Sequence, residues 1–174
     1  MQVRYNILWA LLFVPFVASA TCDATLPRSK PDHVYIDHQD GTVTDAETDL
    51  MWMKCPLGYS YDGSSCSDGP AVYNWSQALQ QAQSANAGAG NYGYTDWRVP
   101  NVKELLTLAE RACENPAINS TVFPATVAEL FWSASPDVNS YTYSQAWVVS
   151  FTLAHPSLRP KQYAHLVRLV RDAR

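Results

Sequence analysis

The chain has 174 residues, of which 47% are hydrophobic and only 16% are charged, and its formal net charge is −4. These values are typical of one ordinary globular domain, and they exclude a low-complexity or intrinsically disordered chain. They also argue against a general nucleic-acid-binding protein, because such a protein needs an excess of basic residues that this chain lacks.

The first twenty residues have the organisation of an export signal. Residues 7–17 form an apolar run, and Ala18-Ser19-Ala20 provides small residues before a cleavage point. The run is too short to span a bilayer comfortably, and Pro15 interrupts it, which argues against a retained membrane anchor. We therefore expect residues 1–20 to be a signal peptide and residues 21–174 to form a domain exported to the periplasm, the cell surface or the medium.

Four cysteines follow this segment, and an even number of cysteines in an exported chain predicts disulfide bonds. Cys55 and Cys66 enclose a short stretch rich in turn-forming residues, which favours a bridge between them. Cys22 would then bond to Cys113 and tie the mature N-terminus to a predicted helix end. Four cysteines allow three connectivities, so the spacing alone leaves the pairing open. With all four in bridges, neither a catalytic thiol nor a thiolate zinc site is expected.

The first half of the mature chain contains short strand patterns. A hairpin is predicted over residues 34–45, because short β-prone runs flank the turn pair Asp40-Gly41. Residues 50–53 form a further predicted strand. The stretch between Cys55 and Cys66 has no periodic pattern and is expected to be irregular.

Two helices are predicted in the middle of the chain. The first begins after the cap residue Asn74, has a glutamine at the capping-box position and should stop at the glycine-rich residues 87–90. The second begins after the cap residue Asn101, again with a capping-box glutamate. Its apolar stripe predicts that this helix extends to about Cys113.

The last third of the chain returns to strand patterns. Strands are predicted at residues 130–134, 146–151 and 164–170. The polar or proline-punctuated residues 135–144 and 152–162 are predicted loops. Strands, two central helices and further strands predict one α+β domain in which the helices pack on mainly antiparallel strands.

Five acidic residues crowd the predicted hairpin and raise the question of a calcium site: Asp37, Asp40, Asp45, Glu47 and Asp49. Their spacing does not fit an EF-hand loop, because Gln39 and Gly41 stand where oxygen donors are needed. Aspartate also favours turns through hydrogen bonds to its own backbone. Ligand spacings of the zinc type are absent from the chain. We therefore expect no metal and no cofactor.

The sequence offers no recognisable catalytic motif. The four histidines, His33, His38, His155 and His165, are not placed beside a nucleophile in any known pattern, and a G-x-S-x-G elbow is absent. We therefore assign no catalytic residues and expect a protein that is not an enzyme.

Asp96, Trp97 and Arg98 form the most distinctive cluster in the chain. They could contact a ligand, but they stand just before a capped helix. A buried tryptophan and an arginine–carboxylate pair at such a place would fix the turn. We therefore favour a structural role for all three residues.

Basic residues concentrate near the C-terminus, at Arg159, Lys161, Arg168, Arg171 and Arg174. Such a stripe on an acidic protein can hold a sulfated or carboxylated partner, although solvated charges around a final strand would give the same pattern.

The predicted ligand site lies on the loops that flank the strand containing Trp147. Tyr141 and Tyr143 can stack on sugars there, while Arg159 and Lys161 can bind anionic groups.

Segments along nearly the whole mature chain resemble DUF1566, the family of the C-terminal domain of the Legionella collagen-like adhesin. The matching segments are 40–45 (DGTVTD), 50–52 (LMW), 55–58 (CPLG), 75–79 (WSQAL), 93–105 (GYTDWRVPNVKEL), 113–119 (CENPAIN), 131–136 (FWSASP), 146–149 (AWVV) and 167–171 (VRLVR). The chain departs from the family pattern at Asp49, where glycine is usual. It also departs at residues 158–164, where a glycine-rich run is common.

The resemblance implies a fold and a kind of activity. The stretch from Trp97 to Pro100 and the following helix are also similar to sulfatase-modifying-factor domains, which implies a C-type-lectin-like α+β fold. The adhesin's domain is associated with sulfated glycosaminoglycans, surface attachment and trimer formation. This chain has no collagen-like Gly-X-Y segment, so a trimer is an expectation from the family alone.

The sequence analysis thus predicts an exported binding domain that recognises a surface polysaccharide or a sulfated glycan in adhesion. It predicts no binding to nucleic acid and no membrane insertion after signal cleavage. A protein–protein interaction module of the bacterial envelope or of a pilus-like assembly is the alternative. A hydrolase is a third hypothesis, and it would need a histidine and a carboxylate that converge in a pocket.

Overall fold

The computed structural model describes residues 20–138 and 143–174, and strands provide most of their regular structure. The strands of the first half are β1 (Thr21–Cys22), β2 (Tyr35–Asp37), β3 (Thr42–Asp45), β4 (Leu50–Met53), β5 (Tyr59–Tyr61) and β6 (Cys66–Asp68). The helices α1 (Trp75–Ala85) and α2 (Val102–Leu106) follow. The remaining strands are β7 (Cys113–Glu114), β8 (Leu130–Pro136), β9 (Gln145–Ser150), β10 (His155–Pro160) and β11 (Val170–Asp172). The predicted α+β class, with two helices on antiparallel strands, is confirmed.

A four-stranded antiparallel sheet has the order β11-β4-β3-β2. Every residue of β3 and β4 is buried, so other parts of the chain cover both faces of the two central strands. In the register, Trp52 lies between Val43 on one side and Val170 on the other. The predicted hairpin over residues 34–45 and the predicted strand over residues 50–53 are both confirmed.

A second antiparallel sheet has the order β10-β9-β8, and its edge strand corrects one prediction. Residues 152–162 were expected to form a loop because of their prolines, but Pro156 and Pro160 lie within β10. A proline can stand in an edge strand if the position of its missing N–H faces away from the neighbouring strand. Pro156 and Pro160 are four residues apart, so their backbone nitrogens point to the same side of β10. When that side faces away from β9, neither proline removes a hydrogen bond between the two strands.

The predicted last strand, residues 164–170, is wrong in its bounds. Only Val170 of that range belongs to a strand, β11, which continues to Asp172. The residues before it cross between the sheets and form isolated bridges, His165 with Tyr73 and Leu166 with Phe131. An apolar run therefore marks a buried segment here, but its pairing partners change from residue to residue.

Both helices begin at the predicted caps. Asn74 and Asn101 each accept a hydrogen bond from the backbone three residues ahead and complete a capping box. The first helix ends at the cap residue Asn86, just before the glycine-rich run. The second ends at Leu106 and not near Cys113, which corrects that prediction.

A carboxylate organises the chain beyond α2 in place of further helix. Glu110 is fully buried and accepts hydrogen bonds from the backbone N–H groups of Ser29, Lys30 and Ala112, at 2.8–3.0 Å. The N-terminal segment therefore contacts the turns that follow α2, and the apolar stripe beyond Leu106 is buried in those turns.

Two disulfides join Cys22 to Cys113 and Cys55 to Cys66, which is the pairing that the sequence favoured. The short bridge encloses β5 and part of the β5–β6 hairpin, where an irregular stretch was expected. The long bridge joins the directly opposite residues of the β1–β7 pair and holds the N-terminal segment against the rest of the domain.

Candidate binding surface

The folded chain separates the five basic residues of the C-terminal stripe. Arg171 donates to the carboxylate of Asp96 at 2.6 Å, and Arg174 donates to that of Asp49 at 2.6 Å. Arg168 is fully buried. Of the five, Arg159 and Lys161 alone are both partly exposed and without a carboxylate oxygen within 4.0 Å among the described residues.

Arg168 has a structural environment. Its guanidinium donates to the backbone carbonyls of Met53 and Lys54 and to the hydroxyl of Thr126, and it lies 4.9 Å from the ring centre of Phe123. Burial lowers the pKa of Arg168 to about 9. These bonds attach the segment that crosses between the two sheets before β11 to the end of β4. The Arg168 side chain is therefore not available to a ligand on the surface.

Lys161 lies against the first residue of α1. Its ammonium is 4.2 Å from the ring centre of Trp75, and its carbonyl accepts from the backbone N–H of Trp75 at 2.9 Å. The indole N–H of Trp75 donates to the carbonyl of Ser133 at 2.9 Å, which fixes the plane of the ring. The cation and the half-buried aromatic ring therefore form one prearranged unit.

Arg159 lies two positions before Lys161, and Tyr143 is next to a residue that is hydrogen-bonded to Lys161. Arg159 is in β10, not in a loop as predicted, and stands opposite Ala146 of β9. Its guanidinium donates to the carbonyl of Leu158 at 2.8 Å. Tyr143 is 66% exposed and precedes Ser144, whose carbonyl accepts from the backbone N–H of Lys161. The fourth predicted residue, Tyr141, lies outside the described residues.

We call Trp75, Tyr143, Arg159 and Lys161 the basic-aromatic patch. The prediction included three of them and missed Trp75, which lies 86 positions before Lys161. No local signal marked it as a surface residue, because Trp75 stands one and two helical turns before the buried Ala78 and Ala82 and so has the spacing of a core residue.

Asp96, Trp97 and Arg98 make contacts that join the turn before α2 to the last strand. Trp97 is 2% exposed, and its indole N–H donates to the carbonyl of Asn91 at 2.8 Å. Arg98 binds both carboxylate oxygens of Glu104, at 2.7 and 2.9 Å, and also Asp172 at 3.0 Å.

Asp96 completes these contacts through Arg171 of β11. The hydrogen bond from the Arg171 guanidinium holds the pKa of the Asp96 carboxyl below its ordinary value.

The acidic residues of the hairpin are distributed among separate partners. Asp37 pairs with Lys54 at 2.8 Å, and Lys30 binds both Asp45 and Glu47 at 2.9 and 2.6 Å. Asp40 accepts from the backbone and the hydroxyl of Thr42, as a turn-forming aspartate does. Within residues 20–138 and 143–174, no group of three or more acidic, histidine or cysteine side chains could hold a metal ion.

Two of the histidines contact other side chains directly. His38 forms a hydrogen bond with the hydroxyl of Thr44 at 2.9 Å, and the ring of His165 packs 4.8 Å from that of Trp132. In the part of the chain that the structure covers, no histidine lies within 4.0 Å of a carboxylate oxygen. The arrangement that a hydrolase would need is therefore not formed by these residues.

The fold is that of a disulfide-stabilised α+β module, and its two bridges are typical of proteins in oxidising compartments outside the cytoplasm. Residues 41–171 match the family model of the Lcl C-terminal domain, and the chain belongs to that family of adhesin-like domains. The resemblance found in the sequence is thereby confirmed. Among curated proteins, no match to the chain was found. No helix in the described ranges has both the length and the apolar character needed to cross a membrane.

Proposed function

We propose that this domain is a secreted, non-enzymatic binding module that recognises an anionic surface polysaccharide, such as a sulfated glycan, through the basic-aromatic patch. The observation that carries the proposal is the separation of the C-terminal charges. Of the five basic residues, Arg159 and Lys161 alone are partly exposed and without a carboxylate partner among the described residues, and the ammonium of Lys161 lies 4.2 Å from the ring centre of the half-buried Trp75.

The residue types of the patch suit an anionic sugar polymer. Arginine binds sulfate and carboxylate groups in a bidentate manner, and lysine adds a mobile point charge. Trp75 is already held by its bond to Ser133, so stacking a sugar on the accessible part of its ring costs little conformational entropy. Tyr143 adds a second aromatic ring with few rotatable bonds.

The protein-interaction alternative has less support at the place where it was expected. An apolar patch near residues 123–130 would favour it, but Phe123 is fully buried and Thr126 is 2% exposed. These two side chains belong to the interior, and Val127 and Leu130 of the same stretch line a concave cavity and not a flat apolar surface.

The proposal is tested by measuring binding of the mature domain to heparin, dextran sulfate and uncharged dextran at low and physiological salt. We expect the two polyanions to bind and the uncharged polymer not to bind. Salt should weaken binding, because exposed charges are screened over about 8 Å at physiological ionic strength.

A double variant, Arg159→Gln with Lys161→Gln, should lose at least about tenfold in affinity. The matched control is Lys103→Gln with Arg111→Gln, which removes the same charge from cations that also form no ion pair in the described structure. Absence of binding to every polyanion, or equal losses in both double variants, would contradict the proposal.

Three finer expectations remain predictions that belong with this proposal: export by the signal peptide, a C-type-lectin-like fold and a trimer. Sedimentation equilibrium of the mature domain tests the last one directly.

A further inference from the structure

A small apolar cavity opens beside the basic-aromatic patch. Its volume is about 160 Å³, and we call it the apolar slot. Six of its lining residues are apolar, and two carry polar side chains: Pro70, Val72, Val127, Leu130, Ala164 and Leu166, with Glu129 and His165. Val72 is 56% exposed, so part of its apolar side chain is in contact with solvent at the slot.

The slot and the patch are neighbours because one paired segment contributes to both. The backbones of Tyr73 and His165 exchange two hydrogen bonds of 2.9 Å at the slot, and the N–H of Trp75 donates to Lys161 at the patch. Val72 of the slot and Trp75 of the patch are three residues apart on this stretch, which corresponds to about 10 Å if it is extended. Adjacent sugars of one polymer can therefore contact both places.

The two polar residues of the slot have distinct roles. Glu129 is exposed at the rim, and its carboxylate makes no ion pair or hydrogen bond with any described residue. His165 contributes to the wall, where its ring packs on Trp132. Burial, together with the charge of Arg159, lowers the pKa of His165, so its imidazole is neutral at physiological pH.

We propose that the apolar slot holds the acetamido group of an N-acetylated sugar whose polymer places an anionic group on Arg159 and Lys161. This inference rests on the proposed function and names the ligand class: a polysaccharide that carries both acetamido and anionic groups. The methyl group would pack between Val72 and Leu130, and the amide N–H would donate to the Glu129 carboxylate.

The chemistry of the slot selects this group over the others that a glycan offers. A sulfate or a carboxylate would meet apolar side chains and the negative charge of Glu129, with no cation in the lining. A hydroxyl would satisfy Glu129 but leave the apolar walls uncovered. An acetamido group supplies a methyl and an N–H donor together, which matches both parts of the lining.

The experiment uses size-defined oligosaccharides of chondroitin sulfate that are de-N-acetylated and then re-acylated with acetyl or formyl groups. The formyl form keeps the sulfate, the carboxylate and the amide N–H and lacks only the methyl. By calorimetry of the mature domain, we expect the acetyl form to bind about four- to tenfold more tightly. This is the range for one methyl group buried in an apolar site.

Two variants test the slot itself. Val72→Gln should remove the preference for acetyl over formyl, whereas Ile36→Gln, at a β-branched residue of similar exposure on β2, should retain it. Glu129→Ala should weaken both forms by the same factor, because both share the N–H donor.

The outcomes separate this inference from the proposed function. Equal binding of the acetyl and formyl forms, with loss of binding in the Arg159/Lys161 double variant, overturns the slot assignment and leaves the proposed function standing. The slot assignment also fails if a sulfated 6-deoxy-sugar oligomer competes better than the acetyl form. Failure of every anionic oligosaccharide to bind overturns both.

Discussion

Two buried charged side chains in this domain bind backbone groups more than opposite charges. Arg168 donates to the carbonyls of Met53 and Lys54, while Glu110 accepts from the N–H groups of Ser29, Lys30 and Ala112. All of these bonds except the local one from Ala112 join segments that are distant in sequence. Because a buried charge without partners would be very costly, such side chains hold their segments in one arrangement.

A substitution at Glu110 tests this role. Glu110→Gln replaces one carboxylate oxygen with an amino group that cannot accept from the N–H groups around it. We expect the free energy of unfolding to fall by about 1–3 kcal/mol, the cost of leaving a buried donor unsatisfied. Urea denaturation measures the change, and Glu114→Gln, at an exposed residue of β7, is the control.

The acid dependence of stability gives a second readout of Glu110. Burial alone would raise the pKa of its carboxyl, but the backbone hydrogen bonds outweigh burial and hold that pKa below its ordinary value. The stabilisation is therefore present above the unfolded-state pKa and is lost as the pH falls through the folded-state pKa. The variant should lack this part of the acid dependence. An unchanged stability and acid profile would contradict the role assigned to Glu110.

At the level of single residues, the sequence shows which side chains are charged but not which of them are buried. The VRLVR segment places arginines between apolar residues, and this alternation favours a strand with a solvated face. Arg168 is nevertheless fully buried, because the segment crosses between two sheets and is covered on both sides. Such covering depends on distant parts of the chain.

At the level of secondary-structure elements, β10 is protected against pairing with another chain. It is the edge of its sheet, and its outward-facing positions include Pro156 and Pro160, which have no N–H to donate. Leu158, which lies midway between the two prolines, is the one residue of β10 that presents an N–H on the outer side. Its carbonyl already accepts a hydrogen bond from the Arg159 guanidinium. The prolines thus permit an exposed strand without making it a template for aggregation.

Replacing both prolines should remove this protection. In the variant Pro156→Thr with Pro160→Thr, the edge gains two N–H donors and two residues of high β propensity. We expect concentration-dependent self-association beyond that of the unmodified domain, measured by sedimentation velocity over a range of concentrations. Ser157→Thr is the control, because the backbone N–H of residue 157 points to the opposite side of β10 from the nitrogens of the two prolines. Identical sedimentation of all three proteins would show that the prolines do not protect the edge.

Helix starts were predictable and one helix end was not. A cap acts through hydrogen bonds within four residues, so Asn74 and Asn101 can be recognised in the sequence. The end of α2 at Leu106 depends on Glu110, whose partners Ser29 and Lys30 lie about eighty positions earlier. The apolar stripe continues past the helix because these residues are buried in either conformation.

For the whole molecule, the two disulfides constrain chain segments of very different length. Cys22 and Cys113 are 91 positions apart, and Cys55 and Cys66 are 11 positions apart. A cross-link restricts the unfolded chain more when it closes a longer loop. The long bridge also holds the N-terminal segment that supplies Ser29 and Lys30 to Glu110.

Removing each bridge should therefore have unequal effects. Cys22→Ser with Cys113→Ser should lower the free energy of unfolding by about 4–5 kcal/mol, and Cys55→Ser with Cys66→Ser by about 2–3 kcal/mol. Urea denaturation of the two double variants under the same conditions gives the comparison. A larger loss in the variant without the short bridge would contradict this order.

Local patterns in the amino-acid order were enough to predict the α+β class, the hairpin before β4, both helix caps and the favoured disulfide pairing. Each of these depends on residue types close together in the chain or on a simple count. Only the tertiary structure shows which C-terminal charges are neutralised. Asp49 and Asp96, which pair with Arg174 and Arg171, are 125 and 75 positions away in the sequence. The patch of Arg159, Lys161 and Trp75 arises for the same reason: long-range ion pairs and packing, which no local pattern encodes, decide which charges stay free.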